Sequence, residues 1–332
     1  MTKFMRVTAP IAALAIAGVL SFSPVLAQDL KKVNLRLAYI TGGVDAPTFV
    51  AADKGYFAAE GLDVTITDGN GSTGTIKAVA SGDFDIGIAG LGATAQASQA
   101  SGSNELIAVA GLLQKDPSSI VSLKGSGILK PKDIVGKRFG TDAGNLSDGM
   151  INAFAEANGI DMDSFETIII NSGEQVALLK GDIDFVNVWA SPDGDKIAKL
   201  AAIEKPILFA DYGVNILGSS VIVRKDYLAK NPDVVRGFLA ALIKGKADVD
   251  ADQEGAADII KKARPDSDRD VILAEIKVMP DYRQTKASKG KIFGWVAKED
   301  IEQTISLLEK YSGMKPGLTP DLIYDGSYLP KE

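Results

Sequence analysis

Apolar and polar positions follow two patterns along the chain. Residues 62–67 alternate apolar and polar side chains, which is typical of a β-strand, and the short apolar runs at 33–40 and 84–88 are bounded by turn residues. Between them, residues 47–57 have the apolar spacing of a helix that Gly61 would end. Strands that alternate with helices predict an α/β fold with mostly parallel sheets covered on both faces.

Two stretches of the chain repeat the same order of patterns. Residues 62–90 and 165–190 each contain a predicted strand, a polar Gly/Ser turn, a short helix, a Gly-Asp-apolar-Asp tetrapeptide and a second strand. Turn chemistry ahead of a strand explains the tetrapeptides, at 82–85 and 181–184, on their own. The match of the whole unit favours a shared architecture instead, and it predicts two lobes of like construction.

The chain is predicted to cross between these lobes twice. The segments 118–123 and 218–224 follow turn residues and have the pattern of strands, and two further strand–helix units lie between them. The pattern after the second segment is helical. We therefore predict that residues 28–119 and 220–332 form lobe 1, that residues 120–219 form lobe 2, and that the crossing strands make a hinge.

The first 27 residues have the order of features found in a secretory signal peptide. Lys3 and Arg6 precede an apolar run at 11–20, and the stretch ends on the small residue Ala27. The apolar run is shorter than the ~20 residues that a membrane-spanning helix needs. We predict cleavage near Ala27, export to the periplasm, and a mature protein without direct membrane insertion.

Composition narrows the possible functions. The chain has no Cys and no His, which removes disulfides, Ser-His-Asp and Cys-His nucleophilic sites, and zinc sites with nitrogen or sulfur ligands. We find neither a phosphate loop of the GxxxxGKS/T type nor a calcium-loop spacing. The net charge of −7 opposes binding to nucleic acid or to anionic membranes. We expect no catalytic residue, no metal and no cofactor, hence no enzyme, although carboxylate-only catalysis survives this elimination.

Four segments resemble a known family of binding proteins. They are residues 53–64 (DKGYFAAEGLDV), 80–87 (ASGDFDIG), 136–140 (GKRFG) and 223–228 (VRKDYL). In these segments the chain is similar to the solute-binding proteins for sulfonates, nitrate, taurine and thiamine-pyrimidine precursors. The resemblance implies a type II periplasmic-binding-protein fold, with two Rossmann-like lobes joined by a two-strand hinge. It also implies transport: capture of a small molecule, without chemistry, for an ABC permease and its ATPase subunit.

Candidate ligand-binding residues lie where strands end and helices begin. Open parallel sheets bind ligands at the carboxyl ends of their strands, and the free N–H groups of helix N-termini suit carboxylate, sulfonate or carbonyl oxygens. The candidates in lobe 1 are Gly42, Gly43, Asp45, Ser72, Thr73, Gly90 and Leu91. The candidates in lobe 2 are Asn145, Leu146, Ser147, Trp189 and Asp193.

Several of these side chains also have a purely structural interpretation. Ser72, Thr73, Ser147 and Asp193 stand where helix caps are common. Trp189 offers a flat surface on which a planar ligand can stack, but a Trp at the end of a strand also packs between lobes. Both interpretations stay open at the level of the sequence.

The predicted cleft loops contain acids and no Lys or Arg. The acids are Asp45, Asp68, Asp142, Asp148 and Asp193. Because an anion usually recruits cations or N–H groups, these loops favour a neutral or amino-bearing compound, such as a pyrimidine-like heterocycle. The alternatives are an anion of the sulfonate, taurine or nitrate type in the same role, or a ligand-binding partner of a sensor receptor. A related enzyme of thiamine-pyrimidine synthesis depends on a histidine and a cysteine-rich motif, which this chain lacks.

Overall fold

The computed structural model describes residues 1, 30–102, 105–141, 147–170 and 173–331. The predicted signal peptide, residues 1–27, lies outside this range except for Met1. The strands are β1 (Lys31–Arg36), β2 (Leu62–Thr67), β3 (Ile86–Gly90), β4 (Leu106–Gly111), β5 (Ser118–Val121), β6 (Arg138–Thr141), β7 (Glu166–Ile169), β8 (Phe185–Trp189), β9 (Ile207–Leu208) and β10 (Ser219–Arg224).

The helices of the described residues begin next to the ends of these strands or follow one another in the C-terminal part. They are α1 (Ala46–Asp53), α2 (Tyr56–Ala59), α3 (Ser72–Ser81), α4 (Leu91–Ser101), α5 (Ser147–Ala157), α6 (Glu174–Lys180), α7 (Asp195–Leu200), α8 (Lys225–Lys230), α9 (Pro232–Ala251), α10 (Gln253–Ala263), α11 (Arg269–Val278), α12 (Pro280–Arg283), α13 (Lys298–Tyr311) and α14 (Pro320–Ile323).

The strands form two five-stranded sheets with the same pattern of order and direction. The first sheet has the order β2-β1-β3-β10-β4, and the second has the order β7-β6-β8-β5-β9. In each sheet one strand, β10 or β5, runs antiparallel to both of its neighbours. The other four strands run in one direction, so the sheets are mostly parallel as predicted. We call the elements around the first sheet lobe 1 and those around the second sheet lobe 2.

The antiparallel strand of each sheet enters from the other lobe. Residues 112–117 lead from β4 to β5, and residues 213–218 lead into β10. We call these two segments the connections. The predicted crossing strands at 118–123 and 218–224 therefore lie largely inside the sheets, and the chain passes between lobes just before each of them.

A buried asparagine joins the two connections. Asn215 is 4% exposed, and its Nδ2 donates a hydrogen bond to the carbonyl oxygen of Gln114 at 2.7 Å. Its Oδ1 accepts from the backbone N–H of Asp116 at 2.9 Å. Because one side chain satisfies backbone groups of the other segment, the two connections are fixed to each other.

The repeated tetrapeptide has the same structural role in both lobes. The last Asp of each copy accepts a hydrogen bond at 2.8 Å from a backbone N–H on the neighbouring strand: Asp85 from Asn34, and Asp184 from Arg138. In return, the backbone N–H of each Asp donates to the carbonyl oxygen of its partner, Asn34 or Arg138. These exchanges join the start of β3 to β1 and the start of β8 to β6, which supports a shared architecture over coincidence.

Each lobe has its own hydrophobic core. In lobe 1, Phe57 stacks on Phe238 with 5.1 Å between ring centroids, so Phe57 is a core residue as its helical spacing predicts. In lobe 2, Phe154 stacks on Phe209 at 4.4 Å within a cluster rich in aromatic rings. The two sheets are therefore stabilised by separate apolar clusters.

Helix α13 packs on both lobes. Ile301 and Ile305 belong to a core cluster of lobe 1, whereas Leu307 and Tyr311 pack against the core of lobe 2. The hydroxyl of Tyr311 also donates to the Glu156 carboxylate on α5 at 2.6 Å. Besides the two connections, α13 is thus a further link between the lobes.

Candidate functional site

The carboxyl edges of the two sheets lie at the connections. Ser219, the first residue of β10, pairs with Gly90, the last residue of β3. Ser118, the first residue of β5, pairs in the same way with Trp189, the last residue of β8. Each connection therefore runs from one carboxyl edge to the other. The loops after β1, β3 and β8 border the space between the lobes, where an open α/β sheet binds ligands.

The loop after β1 donates hydrogen bonds to two acids, one of its own and one that follows β2. Thr41 Oγ1 donates to Asp68 Oδ1 at 2.6 Å, and the backbone N–H of Gly42 donates to Asp45 Oδ2 at 2.9 Å. Asp45 is 4% exposed. The short turn Gly43–Asp45 leads directly into α1, so the carboxylate of Asp45 lies at the base of this loop rather than in solvent.

Gly43 is a glycine because α11 packs against it. A Cβ atom at this position would lie 2.5 Å from Glu275 Cβ and 2.6 Å from the Ile276 backbone nitrogen. The same close approach lets the Gly43 N–H donate to Glu275 Oε2 at 2.6 Å. Gly43 thus has a structural role, and it brings a carboxylate of the C-terminal helices to the cleft loop.

Three acids meet at this edge of lobe 1. Burial raises the pKa of Asp45 to about 7, with the Gly42 N–H acting in the opposite direction and the carboxylates of Asp68 and Glu275 raising it further. Burial also raises the pKa of Glu275, against the effect of the Gly43 N–H. A carboxyl group with a pKa near 7 either donates or accepts a proton at neutral pH.

The first turns of α3 and α4 differ in the polar groups that they leave available to a ligand. The hydroxyl oxygen of Ser72 accepts from the Gly90 N–H at 3.1 Å, and the side chain of Thr73 is exposed. Leu91 is fully buried in the core, and its N–H donates to the Gly218 carbonyl oxygen at 2.9 Å. The start of α4 therefore binds a connection, whereas Ser72 and Thr73 remain at the cleft edge.

In lobe 2, Trp189 ends β8 with 52% of its surface exposed. The turn Ala190–Gly194 follows, and in it Asp193 pairs with Lys196 at 3.0 Å. Ser191 in the same turn is 8% exposed, and its hydroxyl has no hydrogen-bond partner among the described residues. This edge presents an aromatic surface and a spare hydroxyl, with its carboxylate already paired.

Helix α11 of lobe 1 contacts the turn after β8 in lobe 2. The charges of Asp195 and Lys196 on α7 act on the carboxyl of Glu275, so these groups face each other across the cleft. Tyr282 on α12 is buried, and its pKa is raised to about 12 by burial and by nearby acids that include Asp195. The cleft is thus bordered on one side by α11 and α12.

Two of the predicted site residues lie outside the described residues, and three residues at the cleft are absent from the prediction. Asn145 and Leu146 lie outside the described residues, while Ser147 begins α5 without a described side chain. Tyr39, which is 63% exposed after β1, also borders the cleft, and its position after a strand is the signal that indicates it. Glu275 and Ser191 border the cleft as well, but no local sequence pattern indicates them.

Basic side chains from outside the cleft loops neutralise part of the negative charge of these loops. Arg264 donates to Asp68 Oδ1 from Nε at 3.3 Å, and Lys196 pairs with Asp193, so two bases outside the loops reach two of their acids. The residues placed by the structure include no cluster of His, Cys, Asp and Glu suited to a metal ion. Within that same part of the chain, none of the helices has the length and apolar character of a membrane span.

The chain is similar in sequence to a known family and to two characterised groups of proteins. A sequence model described as NMT1/THI5 like matches residues 44–256. The chain is 26% identical over 238 residues to the 4-amino-5-hydroxymethyl-2-methylpyrimidine phosphate synthase of Legionella pneumophila, covering 70% of this chain and 74% of that protein. It is 23% identical over 325 residues to the riboflavin-binding protein RibY of Chloroflexus aurantiacus, covering 92% and 90%.

A solved structure shares the fold along most of the chain. The periplasmic aliphatic sulphonate binding protein SsuA from Escherichia coli superposes with a TM-score of 0.67 at 15% identity, covering 90% of this chain and 99% of that one. With the two matched sheets, this likeness confirms the predicted type II periplasmic-binding-protein fold.

Proposed function

Since the chain belongs to the NMT1/THI5-like family, as its sequence motifs predict, we propose that it is the solute-capturing subunit of an ABC importer. In this role it binds a small organic molecule between its lobes in the periplasm. It then delivers the molecule to a membrane permease that works with an ATPase subunit. The observation that carries the proposal is the pair of carboxyl edges that face each other across the two connections. Relatives named for riboflavin and sulphonate binding support the same role.

Capture works by bending at the connections. Ligand binds to the edge of one lobe, and closure brings the other edge against it, so that the loaded form differs from the empty form. The predicted lobe boundaries at residues 119 and 219 lie just after the two connections, and in this proposal the connections themselves are the hinge. Asn215 of the second connection bonds to two backbone groups of the first, at Gln114 and Asp116, and we therefore expect the two connections to bend together.

The ligand class that fits this cleft is a flat, amino-bearing heterocycle. Asp45 and Glu275 offer acceptors to an amino group at the lobe 1 edge. Trp189 and Tyr39, both more than half exposed, offer ring faces. The hydroxyl of Ser191 provides a further donor, and Gly42, Gly90, Ser72 and Thr73 complete the lobe 1 border. Asn145, Leu146 and Ser147 are retained as the lobe 2 part of this proposal.

An anionic ligand is the alternative within the same role. The likeness to a sulphonate-binding structure favours it, and the N-terminus of α3, with Ser72 and Thr73, provides N–H and hydroxyl donors. The carboxylates of Asp68 and Glu275 oppose it because each would repel a sulfonate or nitrate, and Asp45 would do so in its ionised form. A role as the ligand-binding partner of a sensor receptor would use the same cleft.

An enzymatic function is the competing class, and Asp45 is the observation that favours it. A carboxyl with a pKa of about 7 suits a general base, and one relative is named as a pyrimidine phosphate synthase. The chain has no His and no Cys, so this chemistry would rest on carboxylates. Mass spectrometry of a bound compound after long incubation distinguishes the two: capture leaves its mass unchanged.

The proposal is tested by thermal unfolding of the chain from Gln28 against aminopyrimidines, flavins, taurine, alkanesulfonates and nitrate. A ligand at 100 times its dissociation constant adds about 2.7 kcal/mol of stability. Capture with ring stacking is supported if one chemical class stabilises the protein. The affinity for that class should fall about tenfold in Trp189→Ala and stay unchanged in Trp189→Phe. A folded, ligand-free sample that responds to no compound contradicts it.

A further inference from the structure

Lobe 1 contains a cavity of about 290 Å³ that none of the cleft residues lines. It lies among α9, α12 and the segment 284–293. Its lining includes three cations, Lys246, Arg283 and Lys291, and one carboxylate, Asp250. The sign of this lining is opposite to the net charge of −7 on the whole chain.

The one carboxylate is shared between two of the cations. Arg283 Nη1 lies 2.8 Å from Asp250 Oδ1, and Lys246 pairs with the other oxygen of Asp250. Lys291 pairs with no carboxylate of the described residues, and its ammonium instead lies 5.6 Å from the centre of the Trp295 ring. The cavity wall therefore carries more positive charge than its own acid neutralises.

Arg283 is the buried member of this set. It is 5% exposed, and burial lowers its pKa despite the opposing effect of Asp250. Its Nη2 has no acceptor among the described residues and is shielded from solvent. A buried cation that is only partly neutralised is stabilised by an additional negative charge nearby.

Phe293 gives the cavity an apolar wall. The guanidinium of Arg283 and the ammonium of Lys246 lie 5.7 and 5.9 Å from the centre of its ring. The volume exceeds what an inorganic ion fills and approaches the lower end of small-molecule sites, about 300 Å³. Charge and shape together fit an anion that also has an apolar part.

The walls of the cavity are held by the first connection. The carbonyl oxygen of Tyr282, next to Arg283, accepts from the N–H groups of Gln114 and Lys115 at 2.8 and 2.9 Å. Gln114 Nε2 donates to the carbonyl oxygen of Trp295 at 2.7 Å on the other side. The cavity is thus pre-formed and lies beside the hinge, outside the cleft.

We propose that this cavity binds a small organic carboxylate. The carboxylate contacts the ammonium groups of Lys246 and Lys291, within the field of the buried Arg283, and the apolar part lies against Phe293. The proposal is independent of the ligand in the cleft, because the two sites share no residue.

The two tryptophans of the chain report on the two sites separately. Trp189 lies in the cleft, whereas Trp295 lies beside the cavity through Lys291. In Trp189→Phe, the fluorescence of Trp295 is followed during titration with cyclohexanecarboxylate at constant ionic strength. A saturable change is expected, and the neutral isostere cyclohexanecarboxamide should give none.

Lysine variants in the same background localise the binding. Lys246→Gln, which keeps the Lys291–Trp295 contact, should weaken the affinity by about fivefold to tenfold. Lys289→Gln, an exposed lysine of the same segment that does not line the cavity, should leave it unchanged. The proposal is overturned by an equal response to the amide, by equal affinity in Lys246→Gln, or by a response seen only by Trp189 in Trp295→Phe.

Discussion

The carboxyl edge of lobe 1 carries acids, whereas that of lobe 2 carries an exposed aromatic ring and a spare hydroxyl. At the first edge, Asp45 is buried and Glu275 is partly buried, and both have raised pKa values. At the second edge, Trp189 is half exposed and Ser191 has no partner among the described residues. The sheets behind these edges have matching strand order. The repeated units therefore form the two sheets, whereas the loops at their carboxyl edges give each lobe a different set of functional groups.

Part of the difference comes from the C-terminal helices. Helix α11 packs on the loop after β1 and brings Glu275 to it. In lobe 2 the corresponding loop after β6 falls in residues 142–146, outside the described residues. One of the three acids of this edge, Glu275, therefore comes from a part of the chain that lies far from the repeated unit.

The largest effects are expected from breaking the two cores. Phe238→Ala in lobe 1 and Phe154→Ala in lobe 2 each remove a fully buried ring, and each should lower the free energy of unfolding by about 3–5 kcal/mol. Because α13 packs on both cores, we expect a single transition in urea by circular dichroism and fluorescence. Two separate transitions in Phe154→Ala would mean that the lobes unfold independently.

The pH dependence of stability separates the acids of the lobes. The pKa of Asp45 rises from 3.8 to about 7 in the folded chain, so between these values the folded state holds a proton that the unfolded state releases. Stability from this group is therefore lost as pH rises through that interval, by about 2–4 kcal/mol relative to Asp45→Asn. Urea unfolding from about pH 4 to pH 8 measures the difference.

Asp184 in lobe 2 provides the control with opposite sign. The guanidinium of Arg138 lowers the pKa of its carboxyl, so its contribution is lost as pH falls below the ordinary value. Asp184→Asn should therefore lower the free energy of unfolding mainly above the ordinary pKa of 3.8. The loss of stability that Asp45 causes as pH rises should remain in this variant. Equal profiles for Asp45→Asn and the unmodified chain would contradict the assignment to Asp45.

Glycine substitutions test why the lobe 1 loop approaches α11 so closely. Gly43→Ala places a Cβ against Glu275 and the Ile276 backbone, and should reduce stability by about 2–3 kcal/mol. Gly90→Ala at the neighbouring cleft loop meets its nearest atom at 3.7 Å and should stay within about 1 kcal/mol. Thermal unfolding compares them, and similar losses would refute the packing role of Gly43.

The smallest effects concern the repeated tetrapeptide. Asp85→Ala removes the acceptor for the Asn34 N–H, whereas Asp184→Ala also removes the ion pair with Arg138. We expect losses of about 1 and about 2 kcal/mol, measured by urea unfolding. A larger loss in Asp85→Ala would show that the equivalent hydrogen bonds do not have equivalent weight.

Much of the candidate site follows from local sequence. The apolar pattern alone predicts that Gly90 and Trp189 lie at strand ends, and the structure puts both at the carboxyl edges. Leu91 shows the limit of this reasoning. Its position at the start of a helix predicts a free N–H, but that N–H bonds to Gly218 of the second connection, which no local pattern reveals.

The alternation of strands and helices, the repeat and the lack of His and Cys can all be read from the amino-acid sequence. These properties depend on neighbouring residues or on composition. The chemistry of the cleft depends on tertiary packing, since Glu275 lies 232 residues after Gly43, whose N–H donates to it. The pKa of Asp45 near 7 has the same origin, because burial and the approach of other carboxylates arise only when distant segments pack together.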